Sequence, residues 1–394
     1  MESLHALWTF PAIIFAAILI AWAAECGQFY ISQGLALAVL AWVQTLPEFA
    51  VEAAITMEAA ANPEQMHLIT ANFTGSLRLF VGLGWPMVYF VAWYFRQKKT
   101  GKKELMAIQM EEEHSITVLA LLPALAYFVW IYLKATLSMW DGVALAAIYF
   151  FYLYLLSLMP PQDAEGLEDL GRVPRWVMKL GKPRSYFAIF ALLATGTLIL
   201  WFGAHPFLES MLALAVTFGI SQFVFVQWMA PFLSEFPEKL SAFHWARKVS
   251  KAPMALTNFV SSSINQWTIL VATIPFIFAY ATKSSNPIVF DSHQQLEILL
   301  TIVQSYLGFL FLASMDFNWR EAVGLFVLWI AQFFFPGIRE EITVVYAVWA
   351  VIETIKLAVK FRERNAFNVF AKLAKERLFR KKGATPSPRL PRTH

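Results

Sequence analysis

Two stretches that each contain a Pro-Glu pair decide the fold: AWVQTLPEFAVEAA, residues 41–54, and APFLSEFPEKLSAF, residues 230–243. Each lies in a long apolar run. Each is followed by a stretch in which polar residues interrupt apolar ones: ITANFTGSLRLFVGLG at residues 69–84 and ALTNFVSSSINQWTIL at residues 255–270. One Pro-Glu pair in an apolar run would mean little. Two copies about 190 residues apart, each followed by Asn-Phe-x-x-Ser at a similar distance, indicate that the chain contains two related halves.

The composition of the whole chain is typical of a membrane protein. Of its 394 residues, 58% are hydrophobic and 15% are charged, whereas soluble domains carry about 25% charged residues. A helix needs about 20 apolar residues to cross the hydrocarbon core of a bilayer. Runs of that kind lie near residues 5–24, 29–58, 68–95, 116–134, 142–159, 186–203, 206–236, 253–281, 296–315, 320–336 and 341–360.

The distribution of lysine and arginine predicts how these spans are oriented. Basic residues cluster at 96–103, 172–184 and 247–251 and beyond residue 362, and loops rich in lysine and arginine stay in the cytoplasm. This pattern predicts a multi-pass protein of the cell (inner) membrane, with its N-terminus outside and its C-terminus cytoplasmic. The first span then enters from outside and the sixth from inside, so that the halves are inverted copies, which is a transporter architecture.

We therefore expect an all-α, polytopic transmembrane helix bundle of two inverted five-helix repeats and an eleventh helix. The net charge of +4 is too small to favour a nucleic-acid partner, so the expected partners are membrane lipid and inorganic cations, and the oligomeric state stays open. The predicted divisions are a first membrane repeat at residues 1–160, a cytoplasmic linker loop at 161–185, a second repeat at 186–336, the extra helix at 337–361 and a basic cytoplasmic tail at 362–394.

The Pro-Glu pairs predict cation chemistry inside the membrane. Proline lacks an amide donor and clashes with the carbonyl four residues back, so we expect broken helices at Pro47 and Pro237. Irregular backbone is tolerated at membrane depth only where it is buried in protein or lines a cavity. The carboxylates of Glu48 and Glu238 would then face freed carbonyls and hydroxyls, an all-oxygen environment that suits a hard cation such as Ca²⁺. The alternative is that the motifs bind no cation, and that proline only kinks the helices while Ser, Thr and Asn join them. The duplication of the motif in inverted halves favours the cation site over this alternative.

These stretches resemble the two alpha repeats of the sodium/calcium exchanger superfamily of cation antiporters. Each repeat of that family has a Thr-Ser-Leu-Pro-Glu element followed by Gly-Asn-x-x-Gly-Ser-Asn, and a sliding helix pair switches access to the site. The resemblance implies that Glu48 and Glu238 are the central metal-binding carboxylates. It also implies supporting oxygens from Thr45, Ser76, Ser234 and Ser262, and a role for Asn72 and Asn258 behind the ligands or in helix packing.

The sequence departs from the family pattern at several polar positions. Glu235 stands where the family has serine, and Gln266 is a neutral amide where the family has a polar ligand, so both are candidate ligands here. Arg78 places a cation deep in an apolar run. We expect it to balance charge by pairing with Glu235, Glu48 or Glu52, the last of which lies one helical turn beyond Glu48. An arginine that reaches the interface or joins two helices is the alternative.

The favoured function is a secondary active antiporter that exchanges Ca²⁺ or a related cation against Na⁺ or H⁺ by alternating access. The extra carboxylate and the missing sodium ligands favour H⁺. The alternative is a non-transporting or regulatory member of the family whose ion site is neutralised by Arg78. No nucleophile, metal triad or acid–base pair has the spacing that an enzyme would need, so we expect no enzymatic activity and no cofactor beyond the transported cations.

Overall fold

The computed structural model describes residues 2–30, 42–43, 45–101, 107–157, 170–359 and 365–378. Within these ranges most residues are helical. Residues 161–169 of the predicted linker loop and residues 362–364 and 379–394 of the predicted tail lie outside them.

The described helices fall into two sets of similar order. Those of the first half are α1 (Glu2–Gly27), α2 (Leu46–Ala61), α3 (His67–Leu79), α4 (Trp85–Thr100), α5 (His114–Lys134) and α6 (Met139–Ser157). A short helix, α7 (Arg172–Lys179), precedes the second half. The remaining helices are α8 (Arg184–Phe218), α9 (Gln222–Ser234), α10 (Phe236–Arg247), α11 (Ala252–Asn265), α12 (Val271–Thr282), α13 (Ser292–Ala313), α14 (Trp319–Phe334), α15 (Arg339–Val359) and α16 (Ala366–Leu378).

Eight helical segments of the described chain are long and apolar enough to cross a membrane. They are Ser3–Gly27, Pro63–Thr100, His114–Lys134, Met139–Ser157, Arg184–Phe218, Val249–Thr282, Ser292–Ala313 and Pro336–Val359. The helices α2, α9, α10 and α14 are shorter. Helices α3 and α4 are joined through one π-helical turn, Phe80–Gly84, and α11 and α12 through another, Gln266–Leu270. The predicted all-α transmembrane bundle is confirmed, and the order of its helices is compatible with two repeats.

Pro47 and Pro237 begin helices instead of interrupting them. Each proline lies in the first turn, of α2 and α10 respectively, where its missing amide hydrogen would have no partner in any case. The helical backbone is broken just before them, at Thr45 and at Glu235. The predicted breaks therefore exist, but each lies two residues earlier than expected.

The apolar runs predict that one span ends near residue 203 and that the next begins near Pro206. The structure has no boundary there. Pro206 lies inside α8, which continues as one helix of 35 residues to Phe218. The helix ends at Gly219, whose φ of +66° is easily adopted by a residue without a Cβ atom. The broken helix of the second half is consequently α9 together with α10.

Two short antiparallel strand pairs join the halves at opposite ends of the bundle. Strand β1 (Ala107–Gln109) pairs with β4 (Asp316–Asn318), and β2 (Thr136–Leu137) pairs with β3 (Ile288–Val289). Because the 21-residue helix α5 separates β1 from β2, the two pairs lie at opposite ends. The loops that carry β1 and β4 therefore share one side of the bundle, as the charge distribution predicted.

The contact between α3 and α9 depends on Gly75. A Cβ atom at this position would lie 1.8 Å from the carbonyl oxygen of Gln227, so the two helices could not keep their spacing. We predict that Gly75→Ala lowers the melting temperature of the purified protein, with a loss of about 1–3 kcal/mol or more from overpacking.

Gly27→Ala is the matched control, because Gly27 is also helical and a Cβ atom there would meet no atom within 4 Å. Equal melting temperatures for the two variants would show that the α3–α9 contact does not depend on the missing side chain.

Candidate cation site

The two motif glutamates lie in the first turns of helices. Glu48 belongs to the first turn of α2 and Glu238 to the first turn of α10, and both side chains are buried. The unpaired amides of a helix N-terminus stabilise negative charge. The broken helices therefore explain how two carboxylates can be held inside an apolar bundle.

Gln266 joins the two halves of the site. Its Nε2 atom donates to Glu48 Oε2 at 2.9 Å and to Glu235 Oε1 at 3.0 Å. Lys239 Nζ forms a buried ion pair with Glu235 and lies 5.1 Å from the centre of the Phe80 ring. The glutamine thus bridges two carboxylates from different halves, one of which already has an ammonium partner.

Glu238 and Glu52 are held by equivalent asparagines. Asn258 Nδ2 donates to Glu238 Oε1 at 3.2 Å, and Asn72 Nδ2 donates to Glu52 Oε2 at 2.6 Å. The two residues of each pair are 20 positions apart. The hydrogen bonds therefore relate Glu238 to Glu52, whereas the alignment on the prolines related Glu238 to Glu48. Glu52 is accordingly part of the polar interior and contacts Asn72, not Arg78.

Several oxygens of this region have no partner in the described part of the chain. Four buried oxygens take part in no hydrogen bond: Glu52 Oε1, Thr56 Oγ1, Ser76 Oγ and Gln266 Oε1. A buried polar atom without a partner costs about 1–3 kcal/mol. Carboxylate, hydroxyl and amide oxygens are the ligands that Ca²⁺ prefers, so these atoms suit a site that binds a cation.

The remaining predicted oxygens are satisfied locally. The Ser262 hydroxyl donates to Glu238, the Thr45 hydroxyl donates to Trp42 O at 2.8 Å, and the Ser234 hydroxyl donates to Ala230 O at 2.9 Å. A hydroxyl that donates its hydrogen keeps its lone pairs. Thr45 and Ser234 can therefore still offer oxygen to a cation.

A family model described as "Sodium/calcium exchanger protein" matches residues 4–158 and 188–336 of the chain. The chain belongs to this family. It is a cation/Ca²⁺ antiporter, as the resemblance of its motifs predicted.

Solved structures of two exchangers resemble this one. A crystal structure of the H⁺/Ca²⁺ exchanger CAX has a TM-score of 0.85 and 29% sequence identity, over 95% of this chain and 91% of that chain. The sodium–calcium exchanger NCX_Mj, soaked with 10 mM Na⁺ and 10 mM Sr²⁺, has a TM-score of 0.55 and 16% identity, over 84% of this chain and 97% of that chain. The second likeness concerns the fold alone. No curated protein sequence matches this exchanger.

The expected pairing of Arg78 with a site glutamate is wrong. Arg78 forms a buried ion pair with Glu297 of α13, and its Nη1 atom donates to Gln332 Oε1 at 2.9 Å. The geometry of α3 explains the difference, because residues two positions apart are about 200° apart around a helix. Arg78 therefore points away from the side of α3 that carries Ser76.

Glu297 is the centre of a second charged group, which the sequence reasoning missed. It pairs with Arg339 of α15 as well as with Arg78, and it accepts from Gln227 Nε2 at 2.8 Å. Arg339 also donates to Gln227 Oε1 at 2.8 Å. The sequence contains one signal for this pair. Glu297 is a lone acidic residue at the start of one apolar run, and Arg78 is a lone arginine in another, so that each could serve as the partner of the other.

We predict that Glu297→Gln destabilises the exchanger strongly. It would leave two buried arginines without their carboxylate, and removing one partner of a buried ion pair costs about 3–5 kcal/mol. The measurement is the thermal unfolding of the detergent-purified variant in the absence of Ca²⁺.

Glu340→Gln provides the control, since it removes the same charge at an exposed position next to Arg339. A Glu297→Gln protein as stable as this control would mean that the ion pairs do not hold α3, α13 and α15 together.

Proposed function

We propose that this exchanger transports Ca²⁺ in exchange for H⁺, with Glu48, Glu235 and Glu238 as the carboxylates of the transport site. The observation that carries the proposal is that Gln266 bridges the buried carboxylates of Glu48 and Glu235. Glu238 lies in the first turn of α10, three residues after Glu235, and is also buried. A carboxylate can bind a proton or contribute to a Ca²⁺ site, but not both at once. Competition between the two ions at the same oxygens is the simplest form of exchange.

The choice of H⁺ over Na⁺ has two supports. A tethered ammonium, Lys239 Nζ, contacts Glu235, and Phe80 and Gln266 stand at the two positions that begin the π-helical turns. Phe80 has no side-chain oxygen and therefore leaves one neutral ligand fewer for Na⁺. The similarity to a protein described as an H⁺/Ca²⁺ exchanger, at 29% identity over nearly the whole chain, points the same way.

Arg78 no longer favours the non-transporting alternative. That alternative depended on an arginine that neutralises the site, and Arg78 is instead committed to Glu297. In the proposed function Arg78 and Glu297 form a fixed support outside the exchange chemistry.

A cavity of about 580 Å³ lies beside α10, between this helix and α1. Its lining includes Trp22 and Glu25 from α1 and Ser241 and His244 from α10. Ser241 follows Glu238 by three residues, which is less than one helical turn. We propose that Ca²⁺ reaches Glu238 through this cavity.

The β1–β4 end of the bundle carries the basic loops, and we propose that it faces the cytoplasm. Arg96, Lys98 and Lys99 lie near the C-terminal end of α4, and Arg247 and Lys248 lie at the end of α10, as the bias of lysine and arginine toward the cytoplasm requires. The proposal includes an inner-membrane location, an outside N-terminus, a cytoplasmic C-terminus and the division into repeats at 1–160 and 186–336. The family match at residues 4–158 and 188–336 supports the last point.

Flux in proteoliposomes tests the proposed exchange. We predict that a pH gradient drives Ca²⁺ uptake by the wild-type protein and that a Na⁺ gradient does not. Glu238→Gln should raise the apparent Kd for Ca²⁺ by about 100-fold, because the number of charged ligands sets Ca²⁺ affinity.

Glu64→Gln is the control, because Glu64 lies exposed in the loop between α2 and α3. Ca²⁺ uptake driven by Na⁺ would overturn the assignment of H⁺. An unchanged Kd in Glu238→Gln would remove Glu238 from the site.

Cysteine labelling tests the side from which the cavity opens. The chain has one cysteine, Cys26, so Ser241→Cys in a Cys26→Ser background gives a single reactive thiol. We predict that a membrane-impermeant maleimide modifies it in inside-out vesicles only, and more slowly when Ca²⁺ is present.

Ser285→Cys, between α12 and β3 at the other end of the bundle, should react in right-side-out vesicles only. The reverse pattern for the two variants would invert the proposed orientation.

A further inference from the structure

Helix α2 carries a row of polar side chains along one face. Glu48, Glu52 and Thr56 follow one another at intervals of four residues, so that they lie on the same side of the helix, about 6 Å apart along its axis. All three side chains are buried. Buried polar and ionisable residues at membrane depth are costly and typically mark the path of an ion.

The row leads from the centre of the bundle toward its β2–β3 end. At the start of α2, Glu48 Oε2 accepts from Gln266 Nε2 in the centre of the bundle. Beyond the other end of α2, Met66 O accepts from Gln294 Nε2 at 3.1 Å. Gln294 lies in the first turn of α13, which begins shortly after strand β3. The far end of the row is therefore close to the β2–β3 end.

Helix α3 runs back along this row. The short connection at residues 62–66 makes α3 antiparallel to α2. Asn72 Nδ2 donates to Glu52 Oε2 at 2.6 Å, and Ser76 lies one turn further along α3 on the same face as Asn72. An amide oxygen and a hydroxyl of α3 thus lie on the side of this helix that faces Glu52.

Three oxygens of this region have no hydrogen-bond partner within the described ranges. They are Glu52 Oε1, Thr56 Oγ1 and Ser76 Oγ, and their side chains are only 0–2% exposed. Leaving buried oxygens unpaired is unfavourable. A carboxylate accompanied by neutral oxygens is the environment that a hard cation requires.

We propose that Glu52 belongs to a second cation site, on the passage that Ca²⁺ follows between the transport site and the β2–β3 end of the bundle. The oxygens of this second site come from Glu52, Thr56, Asn72 and Ser76. The second site is distinct from the central group, which consists of Glu48, Glu235, Glu238 and Lys239. This inference rests on the proposed transport of Ca²⁺, to which it adds a second place of binding.

The second site has a lower affinity for Ca²⁺ than the central group. The number of charged ligands sets the affinity of a Ca²⁺ site, and the second site has one carboxylate where the central group has three. Low affinity suits a passage, because a moving ion must be bound favourably enough to enter and weakly enough to leave.

The second half leads from the centre in the opposite direction. Helix α10 begins beside Glu238, and just beyond its other end Val249 and Ser250 line one pocket together with strand β1. Helices α2 and α10 therefore run from the centre to opposite ends of the bundle, as inverted repeats require. The cavity beside α10 serves one end, and the row on α2 serves the other.

Thiol modification of the full-length protein in vesicles tests the second site. Thr56→Cys in a Cys26→Ser background gives a single thiol in the row, and it replaces a hydroxyl that has no partner, so the fold should be kept. We expect a small, membrane-impermeant methanethiosulfonate reagent to modify it only from the face on which Ser285→Cys reacts. Ca²⁺ at about ten times its Kd for this site should slow the modification about tenfold by mass action.

Two carboxylate variants separate the second site from the central group. In Thr56→Cys/Glu52→Gln the protection by Ca²⁺ should be lost, because the site loses its carboxylate. In Thr56→Cys/Glu238→Gln the protection should remain, because Glu52 is unchanged. Ile55→Cys is the control for position: Ile55 is buried at the same depth within the hydrophobic core, and a thiol there should not react.

The outcomes distinguish this inference from the proposed function. The second site is overturned if Thr56→Cys reacts from the opposite face or from neither face. It is also overturned if the protection survives Glu52→Gln, or if Glu238→Gln removes the protection as well. Wild-type Ca²⁺ uptake that is not coupled to a pH gradient would overturn the proposed counter-ion and leave the second site in place, because the labelling requires no exchange.

Discussion

The compensation of buried negative charge is the constraint on which the rest of this structure depends. Glu48, Glu235 and Glu238 lie inside an apolar bundle, where each unpaired carboxylate would be costly. The broken helices provide N-terminal amides, the π-helical turn at Gln266 provides an amide that bridges Glu48 and Glu235, and Lys239 provides a positive charge. The irregular backbone and the unusual polar residues of the two motifs therefore have one common cause.

The buried charges of the bundle are divided between two groups with different properties. The central group has an excess of carboxylates, some of whose neighbouring oxygens have no partner, and this suits the exchange of cations. The group around Glu297 has two arginines for one carboxylate, and hydrogen bonds from Gln227 and Gln332 complete it. Because it connects α3, α9, α13, α14 and α15 through buried side chains, it suits a fixed scaffold.

The sequence predicts the transmembrane bundle better than it predicts which buried side chains contact one another. Composition and the repeated Pro-Glu pairs are sufficient for the transmembrane fold, because apolar runs and helix breaks are local properties. The ion pair of Arg78 with Glu297 joins residues 219 positions apart, and the direction of Arg78 follows only from its place around α3. The end of α8 was also misplaced, because Gly219 ends this helix and Pro206 does not.

The two halves differ in a way that the motifs alone do not show. Asn258 and Ser262 both bind Glu238. Asn72 binds Glu52, whereas the Ser76 hydroxyl has no partner within the described ranges. The equivalent carboxylates, Glu238 and Glu52, are therefore held by different numbers of hydrogen bonds in the two halves. The surroundings of the two carboxylates also differ, because a cavity adjoins α10, the helix that carries Glu238 in its first turn.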